Sequence, residues 1–387
     1  MSSSTTLPPT CIRVEARLTP RLQRAAPPVS MISYQLSEYG RPLDRTESPT
    51  PVPEGAQVLL RIVASGVCHS DLHLCDGHFD LGDGQRLDLS KGRELPLTLG
   101  HEIAGEVVAV GPDGPGDIVG ECRVVYPWVG CRACNRCARG DEHLCGRPQA
   151  LGVVRDGGFA EYVVVPDARY LFDYGAVDGR VACTYACSGL TAYGALLKVR
   201  EQATEGPLLV VGAGGVGLAA VAMARAVLAT KTTIVVADID ETRRQAALEA
   251  GADIAIDPTT DEAVSMVRQV DRHGVRAAVD FVGSADTAGF AVRLLGQGGV
   301  LIMVGLFGGA LKMRLPLLPL RQLTLRGSYV GSLAEMSALT TLARAGKIPP
   351  IPLSNRPLDE AQNALEDLGA GRAVGRIVLH PSHPASG

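Results

Sequence analysis

The sequence predicts an α/β protein of two folding units, and three observations carry that reading. Strand-like runs broken by Gly and Pro fill residues 31–187; after Ala186 strands alternate with helical stretches of about ten to fifteen residues, as in βαβ units around a doubly wound parallel sheet; and a glycine-rich turn joins the first strand and helix of the alternating stretch. With 387 residues, and roughly 100 to 200 residues per domain, the chain is long enough for two to three domains and needs no disulfide staples. The expected division is a β-rich domain from residues 31–187 and 327–387, and a dinucleotide-binding domain from 188–326.

In chain order, residues 1–30 carry Arg13, Arg17, Arg21 and Arg24 against one acid, Glu15. Their composition resembles a transit peptide, but a disordered extension or an upstream start codon is expected, because Met31 opens the first strand-like run, 32–36. Further strands are expected at 57–65, 106–110, 121–126 and 158–165. The alternating stretch then reads as strand 207–211, helix 216–229, strand 232–237 and helix 241–250, the last capped by Asp240 and ended by Gly251. Strands 277–282 and 300–306 follow, and 373–380 closes the chain. The strand at 299–306 is expected to be the sheet edge through which a homo-oligomer, dimer or tetramer, would form.

Composition excludes several classes. Apolar residues are 46% and charged residues 20%, far from the corner where chains stay disordered. A net charge of −4 leaves no positive field to gather nucleic acid or a membrane's anionic lipid. No stretch reaches the roughly 18 consecutive apolar residues of a membrane span; residues 208–228 come nearest, with glycines and Arg225 interrupting. A soluble, cytoplasmic protein is the expectation.

Val210-Val211-Gly212-Ala213-Gly214-Gly215-Val216-Gly217 places G-x-G-x-x-G between strand and helix. Gly212 permits the turn, Gly214 lets backbone approach a pyrophosphate, and Gly217 lets helix and strand pack closely, while the helix N-terminus offers free N–H groups. Gly215 and Val216 belong to the same cofactor-binding turn. Asp238, about twenty residues on, stands where a carboxylate hydrogen-bonds the ribose hydroxyls and repels a 2′-phosphate. NAD is therefore expected over NADP, with Arg243 and Arg244 close enough to bear on that choice. Val282 and Val304, near the next two strand ends, are placed with the cofactor-binding residues.

The ten cysteines are unevenly distributed. Cys131, Cys134, Cys137 and Cys145 supply four thiolates in one loop, enough for a closed tetrahedral zinc site; an iron–sulfur cluster accepts the same ligands. A zinc-ribbon nucleic-acid module would suit the interleaved Arg132, Arg136, Arg139 and Arg147, but the dinucleotide unit and a second ligand set argue against it. That second set is Cys68, His101 and Cys187: two sulfurs and an imidazole, leaving a fourth position for water or an alcohol oxygen.

Together these motifs resemble the zinc-dependent medium-chain alcohol dehydrogenase family, over residues 31–380. The resemblance rests on Gly66-Val67-Cys68-His69-Ser70-Asp71, Gly100-His101-Glu102, the four-cysteine loop and Cys187-Ser188-Gly189-Leu190-Thr191-Ala192-Tyr193. It implies a GroES-like catalytic domain beside a Rossmann-type coenzyme domain, and two zinc ions per chain. It implies Cys68, His101 and Cys187 as catalytic zinc ligands, with Cys187 preferred to Cys183 because the family run follows it. Glu102 falls behind the metal, Asp71 orients the ligand histidine, and Ser70 and His73 match a proton relay. Thr191 falls at the nicotinamide, while His69 and Arg376 match pyrophosphate contacts.

The implied activity is hydride transfer between an alcohol (primary, allylic, aromatic or secondary) and NAD. Alternatives are a polyol dehydrogenase or carbonyl reductase of the same fold and, from another class, a non-catalytic zinc and dinucleotide-binding protein. A zinc-free quinone reductase is disfavoured because that branch lacks the three ligands. Trp128, the only tryptophan, reads equally as a pocket wall or a core anchor. The Gly- and Asp-rich insert at 77–93 departs from the family pattern and is expected to border the substrate entrance.

Overall fold

The computed structural model describes residues 27–228 and 231–382. Residues 1–26, most of the expected extension, lie outside the described residues, as do 229–230 and 383–387. In chain order the strands are β1 (Ser30–Leu36), β2 (Asp44–Pro49), β3 (Val58–Val67), β4 (His78–Gly82), β5 (Gln85–Asp88), β6 (Leu97–Thr98), β7 (Glu102–Val110), β8 (Cys122–Val125), β9 (Tyr162–Val165) and β10 (Leu171–Phe172). After them come β11 (Leu208–Val211), β12 (Ile234–Ala237), β13 (Ile254–Ile256), β14 (Val275–Asp280), β15 (Leu295–Met303), β16 (Thr324–Gly327), β17 (Leu353–Pro357) and β18 (Arg376–His380).

The N-terminal strands form a sheet ordered β10-β8-β7-β3-β18-β17, with β9 also on β3, plus the smaller sheet β2-β1-β6 and the hairpin β4-β5. Because β18 returns to pair antiparallel with β3, the chain's last strand stands beside the one that leads into Cys68. The second large sheet is parallel throughout, ordered β13-β12-β11-β14-β15-β16. The order reverses between β11 and β14, which opens a crevice at their carboxyl ends. Leu208–Val211 are buried without exception, as a parallel strand covered on both faces requires. One core runs from Val58 and Ile103 through Leu190 and Leu196 to Val210 and Val236, so the two sheets are joined by apolar packing.

The structure departs from expectation at the sheet edge. The 299–306 region lies in β15, which pairs with β14 on one side and β16 on the other. Its edges are already used, and β16 is the outermost strand. The signal was weak because β16 is only Thr-Leu-Arg-Gly and is mostly exposed, so no apolar run announces it. β7 also begins at Glu102 rather than 106, since two acids interrupt an otherwise buried strand. The helix Glu241–Glu249 starts as read: the Asp240 carboxylate accepts from the Arg243 N–H, and Gly251 takes φ +112°.

Candidate metal centre and cofactor crevice

Strand register builds the first site. Gly66 pairs with Glu102 across β3 and β7, and a Cβ on Gly66 would lie 2.0 Å from Glu102 Oε2, so only glycine admits the Glu102 side chain. β3 ends at Val67, and Cys68 becomes the N-cap of the helix His69–Asp76. Asp71, at the third helical position, turns back so that Oδ2 accepts from the Cys68 N–H at 2.9 Å, as in a capping box. Its other oxygen lies 3.1 Å from His101 Nδ1, with both side chains fully buried.

Cys187 is the N-cap of a second helix, Ser188–Val199. The ligand atoms of Cys68, His101 and Cys187 lie within 4.8 Å of one another. His101 Nε2 is buried and has no hydrogen-bond partner among the described residues. Two sulfurs and an orphaned imidazole nitrogen fit a zinc ion that keeps one position open. Both cysteines stand at helix N-termini, where the dipole favours thiolate. A hydrogen bond with Cys187 holds Cys68 well below the ordinary thiol range despite burial, and the same bond pushes Cys187 up. Burial disfavours charge on His101, but Asp71 and Cys68 together hold it well above the usual imidazole value.

Glu102 closes the rear of the site. Oε1 accepts from the Ser188 N–H at 2.8 Å, and Oε2 lies 2.6 Å from Arg376 Nη2; burial raises its pKa although Arg376 opposes the shift. Arg376 thus ends on a buried carboxylate, and it also spans toward the glycine turn: a Cβ on Gly215 would lie 2.2 Å from Arg376 Cδ.

At the crevice, Gly212 takes φ +90°, and a Cβ on Gly217 would lie 1.9 Å from Gly212 O. At Gly214, the N-cap of the helix Gly215–Val227, an added Cβ would meet nothing within 4 Å, which leaves the helix N-terminus open. Val216 is half-buried in the first turn. Val282 packs against Gly212, and the Val304 N–H donates to Asp280 O at 2.9 Å; both stand just past β14 and β15, at the reversal of strand order. Thr191 is buried, and its N–H donates to Cys187 O at 2.8 Å. His69 is exposed at the first turn of its helix.

Asp238 lies at the end of β12, buried, with Oδ2 accepting from Ala213 N–H at 2.7 Å and Oδ1 from Asp240 N–H at 2.9 Å. The neighbouring arginines are committed elsewhere. Arg243 Nη2 donates to Gly371 O at 2.8 Å, while Arg244 bonds Asp238 O at 2.8 Å and Asp257 at 3.2 Å.

Ser70 lines a cleft of about 360 Å³ between the two sheets' domains. His73, one turn further along, has its ring 4.7 Å from that of Phe79; burial lowers its pKa, with Asp76 and Cys68 opposing. Trp128 is both wall and anchor: it lines the cleft, donates to Ala186 O at 2.9 Å and lies 5.4 Å from the His101 ring. The 77–93 insert forms β4-β5 and borders this cleft through Phe79, Leu81, Leu87 and Arg93. Sequence reasoning missed Tyr329, whose ring packs edge-on against Trp128 at 5.6 Å, and gave no role to Arg93. Neither belongs to a motif, and only the fold brings them to the cleft.

The four-cysteine loop is a separate lobe. Cys131, Cys134, Cys137 and Cys145 also converge within 4.8 Å, and backbone N–H groups of Cys131 and Arg147 each donate to Cys145 Sγ at 3.3 Å. Backbone hydrogen bonding holds Cys131 down to about 6. Buried Glu142 ties the lobe to the sheet by accepting from Gly130 N–H and Tyr170 O–H, both at 2.8 Å.

The chain matches known proteins along nearly its whole length. Residues 54–174 match the alcohol dehydrogenase GroES-like domain and residues 215–345 the zinc-binding dehydrogenase domain. An NAD-dependent alcohol dehydrogenase of Sulfurisphaera tokodaii is 39% identical over 91% of this chain and 100% of its own. A D-arabinose 1-dehydrogenase (NADP(+)) of Saccharolobus solfataricus is 31% identical over 89% of this chain and 96% of its own. The crystal structure of the alcohol dehydrogenase from Aeropyrum pernix superposes with a TM-score of 0.80 at 32% identity, covering 90% of this chain and 100% of that one. With both domains matched, and relatives aligned end to end, the chain belongs to the zinc-dependent medium-chain alcohol dehydrogenase family.

Proposed function

We infer that this chain is an NAD-dependent alcohol dehydrogenase that converts an alcohol to an aldehyde or ketone, with residues 188–326 holding the coenzyme and residues 31–187 and 327–387 the metal and substrate. The observation that carries this is the convergence of Cys68, His101 and Cys187 beside a cleft that opens toward the carboxyl ends of β14 and β15. Zinc held by those three side chains would lower the pKa of a bound alcohol, and NAD on the Gly212–Gly217 turn would accept the hydride. A second zinc in the four-cysteine lobe would be structural, because four thiolates leave no open position.

The chain's own residues do the rest. Asp71 fixes the tautomer of His101 by holding Nδ1, and so presents Nε2. Glu102 and Arg376 neutralise one another in a dry site, where an unpaired charge would be costly. Ser70, at the cleft wall, takes the proton of the substrate hydroxyl, and His73 passes it outward. Trp128 and the leucines of the insert exclude water and favour an apolar alcohol over a polyol. Support for NAD over NADP comes from buried Asp238, which would repel a 2′-phosphate, and from Arg243 and Arg244, which are spent on carbonyls and carboxylates.

A homo-oligomer would form across β16, one of the two edge strands of the parallel sheet, beside exposed Leu315 and Leu320; light scattering of the eluted protein reads it. Among the described residues no helix is long and apolar enough to cross a membrane.

One experiment tests the main reading: metal content of the purified chain together with NADH absorbance over an alcohol panel. Two zinc per chain, and NADH formation faster than NADPH formation, are expected. Absence of any alcohol-dependent reduction sinks the reading.

A further inference from the structure

The cleft is mostly apolar, and one charged residue of its wall has no part in the inferred role. Phe79, Leu81, Leu87 and Leu89 line one side, Trp128 and Tyr329 another, and among them stands half-buried Arg93. Two of its nitrogens are committed: Nε donates to Val153 O at 2.8 Å, and Nη1 donates to Leu89 O. These bonds brace the turn that leads out of β5, and they fix the plane of the guanidinium. Nη2 makes no hydrogen bond or ion pair among the described residues, yet it is not sealed from solvent.

Among the described residues no carboxylate forms an ion pair with this cation. The groups that act on its ionisation, apart from burial, are the hydroxyls of Tyr39 and Tyr329. Asp80 also lines the cleft, but it is exposed, and one of its oxygens accepts from Gly82 N–H at 2.7 Å. A charge held in an apolar pocket without a partner is unfavourable unless a ligand supplies one. The Tyr329 hydroxyl is a second donor on the same wall, and it makes no hydrogen bond among the described residues. Through Trp128 that wall reaches His101: the Tyr329 and Trp128 rings lie 5.6 Å apart, and the Trp128 and His101 rings 5.4 Å apart.

We propose that Arg93, with the Tyr329 hydroxyl, is a specificity-determining residue that binds a carboxylate at the far end of the substrate, so that the preferred alcohols are apolar hydroxy acids. The proposal rests on the alcohol dehydrogenase reading above. The reaction takes a hydroxy acid and NAD⁺ to the aldehyde acid, NADH and a proton, with the carboxylate unchanged. A flat carboxylate suits one open guanidinium edge, and a doubly charged phosphate would require more donors than this wall offers.

The test compares 4-(hydroxymethyl)benzoate with 4-methylbenzyl alcohol, which differ only in the distal group. Wild type should favour the acid by at least about tenfold in kcat/KM, the range of one charge-assisted hydrogen bond. Arg93→Met should erase that preference, mainly by raising KM for the acid, and leave the methyl compound within about threefold. Arg93→Lys should keep part of it, and Tyr329→Phe should weaken it modestly. A wild-type preference for the methyl compound overturns the proposal. So does an equal loss on both substrates in Arg93→Met, which would mark Arg93 as only a brace for its turn.

Binding gives a reading independent of turnover. Benzoate should quench Trp128 fluorescence saturably in wild type but not in Arg93→Met, and no saturable quenching in wild type also overturns the proposal. Oxidation of 4-methylbenzyl alcohol separates the two levels, because its failure together with that of every other alcohol strikes the general reading, whereas its success without an acid preference strikes only this one.

Discussion

The two ligand clusters make opposite demands on the chain. Cys131, Cys134, Cys137 and Cys145 come from one loop and two of them are partly exposed, whereas Cys68, His101 and Cys187 come from three separate segments and are all buried. The first cluster can be assembled by local turns, with Glu142 to moor it. The second exists only when β3, β7 and the start of the helix Ser188–Val199 are in register, so its geometry reports on the whole fold. A closed site is cheap to specify in sequence; an open, reactive one requires tertiary structure to hold its ligands apart from their alternatives.

Removing one ligand from each cluster tests that contrast most strongly. Cys187→Ala should lower kcat by roughly 10³-fold or more, as loss of several kcal/mol of transition-state stabilisation does, while metal analysis falls by one equivalent and the four-cysteine lobe keeps its ion. Retention of both equivalents would break the contrast. Asp71→Asn should cost roughly 10–100-fold in activity or metal affinity, the usual effect of losing a carboxylate behind a ligand histidine; titration with a competing chelator measures it.

On the other side, Cys134→Ser should lower Tm by roughly 2 to 3 °C, consistent with loss of about 2 kcal/mol in a chain this long. Its kcat per folded molecule should stay within about threefold of wild type, and calorimetry beside steady-state assays would expose any larger coupling between the clusters.

The smallest effect concerns His73. Burial pushes its pKa below the ordinary imidazole value, so the neutral, proton-accepting form persists at lower pH. Alcohol oxidation by wild type should therefore hold up below pH 6.5. His73→Ala should fall behind by roughly tenfold at pH 6, at the low end of general-base effects, and by much less at pH 9, with partial recovery on adding buffer base. Parallel pH profiles for the two proteins would remove His73 from proton transfer.

The same contrast explains what could be read beforehand. The four-cysteine loop was legible from spacing, and the turn at Gly212, Gly214 and Gly217 from its position between strand and helix. Cys68, His101 and Cys187 stood out only because their flanking motifs occur together. The ion pair of Glu102 with Arg376 was not legible, since nothing in either segment announces that β18 returns beside β3. β16 escaped because its four residues carry no apolar pattern, and Arg93 and Tyr329 because chemistry at a cleft wall depends on what faces them.

Arg376 leaves a trace far from itself. Its methylene stem occupies the ground above Gly215, so any residue with a side chain there would evict it and strand the Glu102 carboxylate beside the metal ligands. The second glycine of the Gly214-Gly215 pair is thus explained by a tenant from the opposite end of the chain. A glycine beside the three of the turn's signature is here required by the protein's own arginine, so that positions 102, 215 and 376, far apart in sequence, constrain one another.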